Sequence, residues 1–154
     1  QFGFDKDNIL WTSGGGERAT WLDTKVFDQT GDVQKAEGWA PFVLDTTGSG
    51  KITAEFNKPG QKDPSKDTLI GGSGTYAVMP NPADGAVWYT VNVFGGAGGI
   101  VRFDPKTKLS EFYKVPMPGF GPRGGDIDSK GVVWVSLGSG EPLRPGSGII
   151  AVCR

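Results

Sequence analysis

The chain has 154 residues, among them 26 glycines, 11 prolines, five tryptophans and nine phenylalanines. That length suffices for one domain with a sizeable core, and aromatics at regular intervals exclude a disordered low-complexity chain despite the glycine content. Sixteen basic and seventeen acidic side chains leave a net charge of −1, which excludes the electrostatic footprint of a nucleic-acid binder, and no apolar run nears the ~18 residues of a spanning helix. There is no histidine, so the commonest general base, the Ser-His and Cys-His pairs and the usual zinc and haem ligands are absent. The single Cys153 excludes an intrachain disulfide and any Cys-pair metal site.

In chain order, Phe2-Gly3-Phe4-Asp5 and Asn8 to Ser13 read as two strands joined at a Lys-Asp-Asn turn. Residues 14–40 then interrupt the strand pattern as an insertion. Its Trp21, Leu22, Val26 and Phe27 suit either a short hairpin or a helical turn, and periodicity does not decide between them. Strands are predicted next over Phe42 to Asp45 and Ile52 to Phe56, followed by a polar connector over 57–74 with a short strand near Thr68-Leu69-Ile70. Thr75 to Met79 opens the clearest stretch, continued by strands at Ala86 to Thr90, Ile100 to Phe103 and Leu109 to Val115. Each is rich in β-branched and aromatic residues and bounded by Gly, Pro or Asp. A stiff connector over Pro116 to Gly125 leads into Asp126-Ile127-Asp128 and further strands around Trp134 and Ile150.

The central unit recurs. Lys130-Gly131-Val132-Val133-Trp134-Val135-Ser136 repeats Asp84-Gly85-Ala86-Val87-Trp88-Tyr89-Thr90 at a spacing of 46, and Asp7-Asn8-Ile9-Leu10-Trp11-Thr12-Ser13 is a third copy. Phe42 to Asp45 and Gly148 to Val152 echo Gly99 to Asp104. A period near the ~40 to 50 residues of a propeller blade predicts an all-β fold, a β-propeller arc of about three four-stranded blades. The copies span about 2–59 with the insertion 14–40, 75–116, and an incomplete 124–154. Closed propellers need about 4 to 8 blades, and an arc exposes sheet edges. The expected setting is therefore a larger propeller, completed by the remaining blades of a longer polypeptide or by other protomers. The equivalent Trp11, Trp88 and Trp134 are expected to pack between adjacent blades.

The run of a DG or KG turn, Val-Trp followed by Tyr-Thr or Val-Ser, a glycine loop, Ile100-Val101-Arg102-Phe103-Asp104-Pro105 and a polar strand through Glu111-Phe112 to Pro116 resembles the blade of streptogramin-lyase-like (virginiamycin B lyase-like) β-propellers. The resemblance covers most of 76–136 and, more loosely, 2–13 and 42–56. It implies export, to the periplasm or outside the cell. That family's activity rests on a histidine with a carboxylate-held magnesium, and a chain without histidine does not inherit the reaction. The expected function is an exported propeller segment that binds a ligand or partner without a catalytic centre of its own. The competing expectation is part of a propeller enzyme, lyase-like or a quinoprotein-like oxidoreductase, whose catalytic residues lie outside this chain.

Five local features bear on chemistry. Asp45, Thr47 and Ser49 place oxygens at positions 1, 3 and 5 of a loop with Gly50 at 6, the Lys51 carbonyl at 7 and Glu55 at 11, which resembles an EF-hand-type calcium loop. A plain strand-turn-strand hairpin with Asp45 capping the turn is the alternative, and turn chemistry favours it. Asp23, Asp28 and Asp32 match no rigid ligand template and read as a solvated loop. Gly95 to Gly99 leads into a strand rather than a helix, so it is no phosphate cradle. Trp21 and Trp39, outside the repeat, are candidates for a binding surface. Arginine can hold a carboxylate bidentately; Arg102 is expected to face a cross-strand acid such as Glu111, and Arg123, just ahead of an inner strand, is a candidate ligand-binding residue at the central channel, where propellers place their ligands.

Overall fold

A computed structural model describes residues 1–14, 16–71, 73–92, 98–138 and 148–153. The fold is all-β, in three sheets. The first is a four-stranded antiparallel meander of β1 (Phe2–Phe4), β2 (Ile9–Thr12), β3 (Arg18–Asp23) and β4 (Glu37–Pro41), with helices α1 (Thr24–Thr30) and α2 (Val33–Ala36) between β3 and β4. Each helix opens on an aspartate that accepts a backbone N–H: Asp23 from Val26 at 3.1 Å and Asp32 from Gln34 at 3.0 Å. These are N-caps, the commonest use of aspartate at a helix start.

The next three strands are short: β5 (Val43–Leu44), β6 (Phe56–Asn57) and β7 (Asp67–Leu69). They extend the edge of the second sheet, whose body is the meander β8 (Ser73–Pro80), β9 (Val87–Asn92), β10 (Gly99–Phe103) and β11 (Ser110–Lys114). The resulting order is β6-β7-β5-β11-β10-β9-β8, with one parallel pairing, Ser110 to Leu44, attaching the extension to the meander. The third sheet is β12 (Gly125–Ile127), β13 (Val133–Leu137) and β14 (Gly148–Val152), in that order. No described helix is long and apolar enough to cross a membrane.

Three expectations need correction. Residues 14–40 are not an insertion that interrupts the strand pattern, because they supply β3 and β4 and so complete the first sheet. Phe42 to Asp45 does not serve as that sheet's third strand: β5 leaves it and joins β11. Nor do β5 and β6 form a hairpin around the 45–55 loop. Both pair with β7 instead, because the buried Asp67 carboxylate takes the backbone N–H of Thr47 (3.2 Å) and Thr53 (3.0 Å) and draws both arms of the loop to itself. The middle meander and the strands flanking Trp134 stand where the repeat places them. The irregularity anticipated over 139–147 and most of the run Gly95 to Gly99 lie outside the described residues.

Alternation along the strands decides how the sheets stack, because successive side chains point to opposite faces. In the first sheet Gly3, Trp11, Trp21 and Gly38 share a row, as do Ala19 and Ala40, and this face packs on Val78, Val87, Tyr89, Val91, Val101 and Phe103 of the second sheet. The opposite face of the second sheet carries Ala77, Met79, Trp88 and Ile100, and it packs on Val133 and Val135 of the third. Trp11 (3% exposed) and Trp88 (1%) are thus buried between sheets, whereas their counterpart Trp134 is 47% exposed on the far face of the third sheet. The leading strands also touch: β8 contacts both β1 and β12. At Gly125 the approach is close enough that a Cβ would sit 2.9 Å from the Met79 sulfur, so no larger residue fits there.

Candidate functional site

The strand that leads the second sheet is irregular where it meets β9. Register slips between Ser73 and Thr75 and again between Thr75 and Val78, and such bulges re-aim a side chain out of the regular pleat. Within this stretch Ala77 donates its N–H to the hydroxyl of Thr90 at 2.8 Å. The hydroxyl of Thr90, fully buried, in turn donates to the carbonyl oxygen of Arg123 at 2.6 Å. One hydroxyl therefore ties the second sheet to the segment that enters the third.

Arg123 is fixed from the other side as well. Its N–H donates to the Ser136 carbonyl at 3.0 Å, and the Ser136 N–H and hydroxyl both donate to the Gly124 carbonyl, at 2.8 and 3.0 Å. With its backbone held, the guanidinium lies over the ring of Tyr76 with its central carbon 4.5 Å from the ring centroid. Arg123 is exposed, Tyr76 is 36% exposed, and among the described residues no carboxylate pairs with Arg123. A guanidinium stacked on an aromatic face keeps its planar fork of donors directed outward, the arrangement that receives a carboxylate or phosphate. Thr75 plays a similar tying role toward the first sheet, accepting the Gly14 N–H at 3.3 Å.

The other candidate residues do not gather at this place. Trp21 lies between the first two sheets, 5.3 Å from Trp11 by ring centroids and capped by the Lys108 ammonium at 4.4 Å. Burial pushes the Lys108 amine down from its ordinary range, in keeping with that aromatic cover. Trp39 points to the opposite face, 61% exposed, with the Arg18 guanidinium 4.9 Å above it. The two indoles are thus separated by the sheet itself. Arg102 meets Glu111 at 3.1 Å, as register predicts, and also Asp84 at 2.8 Å, so its donors are occupied by structure.

The calcium-like loop closes on its own donors. The Asp45 carboxylate accepts from Ser49 N–H (3.1 Å), Gly50 N–H (2.8 Å) and the Thr47 hydroxyl (3.2 Å), and the Gly50 amide chiefly holds it below the usual carboxylate range. The Thr47 hydroxyl also reaches Asp67 (3.0 Å), while the Ser49 hydroxyl donates to the Lys51 carbonyl (2.8 Å). Glu55 turns away to Lys66 at 2.7 Å. Among the described residues no group of three acidic or Cys/His ligands gathers around a common point.

No protein-family model matches the chain, and a search of curated proteins finds no match. Function therefore has to be read from the site. The partners Tyr76 and Thr90 were not marked by the sequence. A tyrosine on a leading strand and a threonine among the apolar residues of β9 were the available signals, and only the bulge in β8 joins them.

Proposed function

We propose that the three sheets are successive blades about a common axis, with β1, β8 and β12 innermost, and that the chain is a binding module for a small anionic ligand. The ligand class is one carrying a carboxylate or phosphate group, received by Arg123 over Tyr76. What carries this reading is the exposed guanidinium, lying over an aromatic ring and held at its backbone from two sheets. The blade assignment is supported by the antiparallel meander within each sheet (β1–β4, β8–β11 and β12–β14), by the equivalent registers of Trp11, Trp88 and Trp134, and by the contacts of β8 with β1 and β12. The likeness of the repeat to streptogramin-lyase-like propellers points the same way, and an exported location accompanies it. No catalytic role is assigned to the chain's residues.

The test is a titration of isotope-labelled protein with inorganic phosphate and with succinate, followed through the Arg123 side-chain N–H resonance. A saturable shift with at least one of them, abolished in Arg123→Ala and weakened in Tyr76→Ala, is expected. A resonance that does not move with either probe, or moves equally in a distant lysine control, overturns the assignment.

A further inference from the structure

The register of the three sheets superimposes row on row. In the second strand of each, Leu10, Val87 and Val133 occupy one position and Thr12, Tyr89 and Val135 another, on the face opposite Trp11, Trp88 and Trp134. Across the sheets the first position reads Phe4–Leu10–Leu22, then Pro80–Val87–Phe103, then Ile127–Val133–Val152. In the second and third sheets these rows are covered by the tryptophan-bearing face of the sheet before them. In the first sheet no other described sheet covers this face: Leu10 and Leu22 are half-buried, and Phe4 is 56% exposed, with Phe2 (69%) and Trp39 (61%) on the same face. At the other end the tryptophan-bearing face of the third sheet is open too, with Trp134 47% and Ile149 72% exposed.

One chain thus presents both halves of a contact it already makes twice internally. We infer that the Trp134–Ile149 face of one copy docks on the Phe2–Phe4–Trp39 face of a second copy, continuing the sheet stack head to tail. The two patches are different surfaces, so the contact is heterologous, and it closes into a ring or runs on as a filament according to the rotation between copies. Exposed apolar patches of this kind mark protein contact surfaces. The inference uses sheet order, register and exposure, and is independent of the anion site.

Sedimentation velocity over a concentration series tests it. The wild-type chain is expected to self-associate. Trp134→Lys and Phe4→Lys are each expected to sediment as monomers, while an equimolar mixture of the two regains association through the one junction that still has both faces intact. Recovery in the mixture also shows that both variants are folded, and Ile149→Lys with Phe2→Lys serves as a second pair. A wild-type chain monomeric at every concentration overturns the proposal and leaves these faces to a different partner or to further repeats. So does self-association of Phe4→Lys alone, which would mean that the Trp134 face pairs with itself, or a mixture that stays monomeric.

Discussion

The indole N–H of Trp11 donates to the carboxylate of Asp5 at 2.8 Å, and the bond recurs between Trp134 and Asp128 at 3.0 Å. Asp5 also accepts the backbone N–H of Asp7 and Ile9, as Asp128 accepts those of Lys130 and Val132. Asn8 and Gly131 take the same left-handed position in the two turns, at φ 65° and 80°. One aspartate thus closes a turn and anchors the inter-sheet tryptophan. Replacing Asp5 by Ala strands a buried indole N–H, at a cost of about 1–3 kcal/mol, and loosens the turn besides. Asp128→Ala is expected to cost less, since Trp134 is half exposed and can turn to water. Denaturant melts of the two variants give the comparison.

The middle copy breaks the pattern. Its turn starts at Asn81 and is one residue longer, the Asn81 side chain caps the Ala83 N–H, and the Trp88 Nε1 has no acceptor among the described residues. Trp88 is held by packing alone, stacked on Tyr113 with ring centroids 5.5 Å apart. Trp88→Phe therefore removes an unsatisfied donor together with ring volume, whereas Trp11→Phe removes a hydrogen bond together with the same volume. The Trp11 variant is expected to be the less stable by about 1.5–3 kcal/mol, the worth of a hydrogen bond to a charged group.

Asp67 is fully buried and holds the 45–57 loop through the amides of Thr47 and Thr53. Asp67→Ala is expected to release that loop while sparing the β8–β11 meander, because a single parallel pairing joins the two. Hydrogen exchange should show lost protection at Thr47 and Thr53 with the amides of β9 and β10 unchanged.

Acid should weaken the fold through its turn carboxylates. The Asp128 carboxyl is held below its usual range first by the Trp134 indole and then by the Val132 amide, and Asp45 first by the Gly50 amide. A depressed folded-state pKa means that the unfolded chain binds more protons as pH falls past its own carboxyl value of ~3.9, so stability rises with pH across that window. The contribution is complete well above that value and is lost as pH falls through the folded pKa. The urea midpoint is expected to stay level from neutral pH to about 5 and to drop below about 4. Asp45→Asn should flatten part of that drop.

The β8–β11 meander and the last sheet were legible because Val87-Trp88-Tyr89-Thr90 and Val133-Trp134-Val135-Ser136 alternate large side chains on both faces, which marks a strand at once. The second half of the first sheet was not. Beside Trp21, its inward positions Ala19, Gly38 and Ala40 are small because Trp11 and Trp21 fill the space, and a Cβ on Gly38 would lie 2.4 Å from the Trp21 ring. Alternation of apolar size vanishes where one strand's bulk serves its neighbour. Arg123 was legible as a residue, but its ring partner was not, because the pairing depends on a slip in β8 that no local spacing encodes. The role of Asp67 was hidden for a related reason, since its partners lie 20 and 14 residues away.

Tyr76 rides on the second sheet and Arg123 on the lead into the third, so their ring–cation contact spans two sheets. The Thr90 hydroxyl bridges the same two segments, so one stacking contact and one hydrogen bond together pin a sheet to its successor beside the buried Trp88.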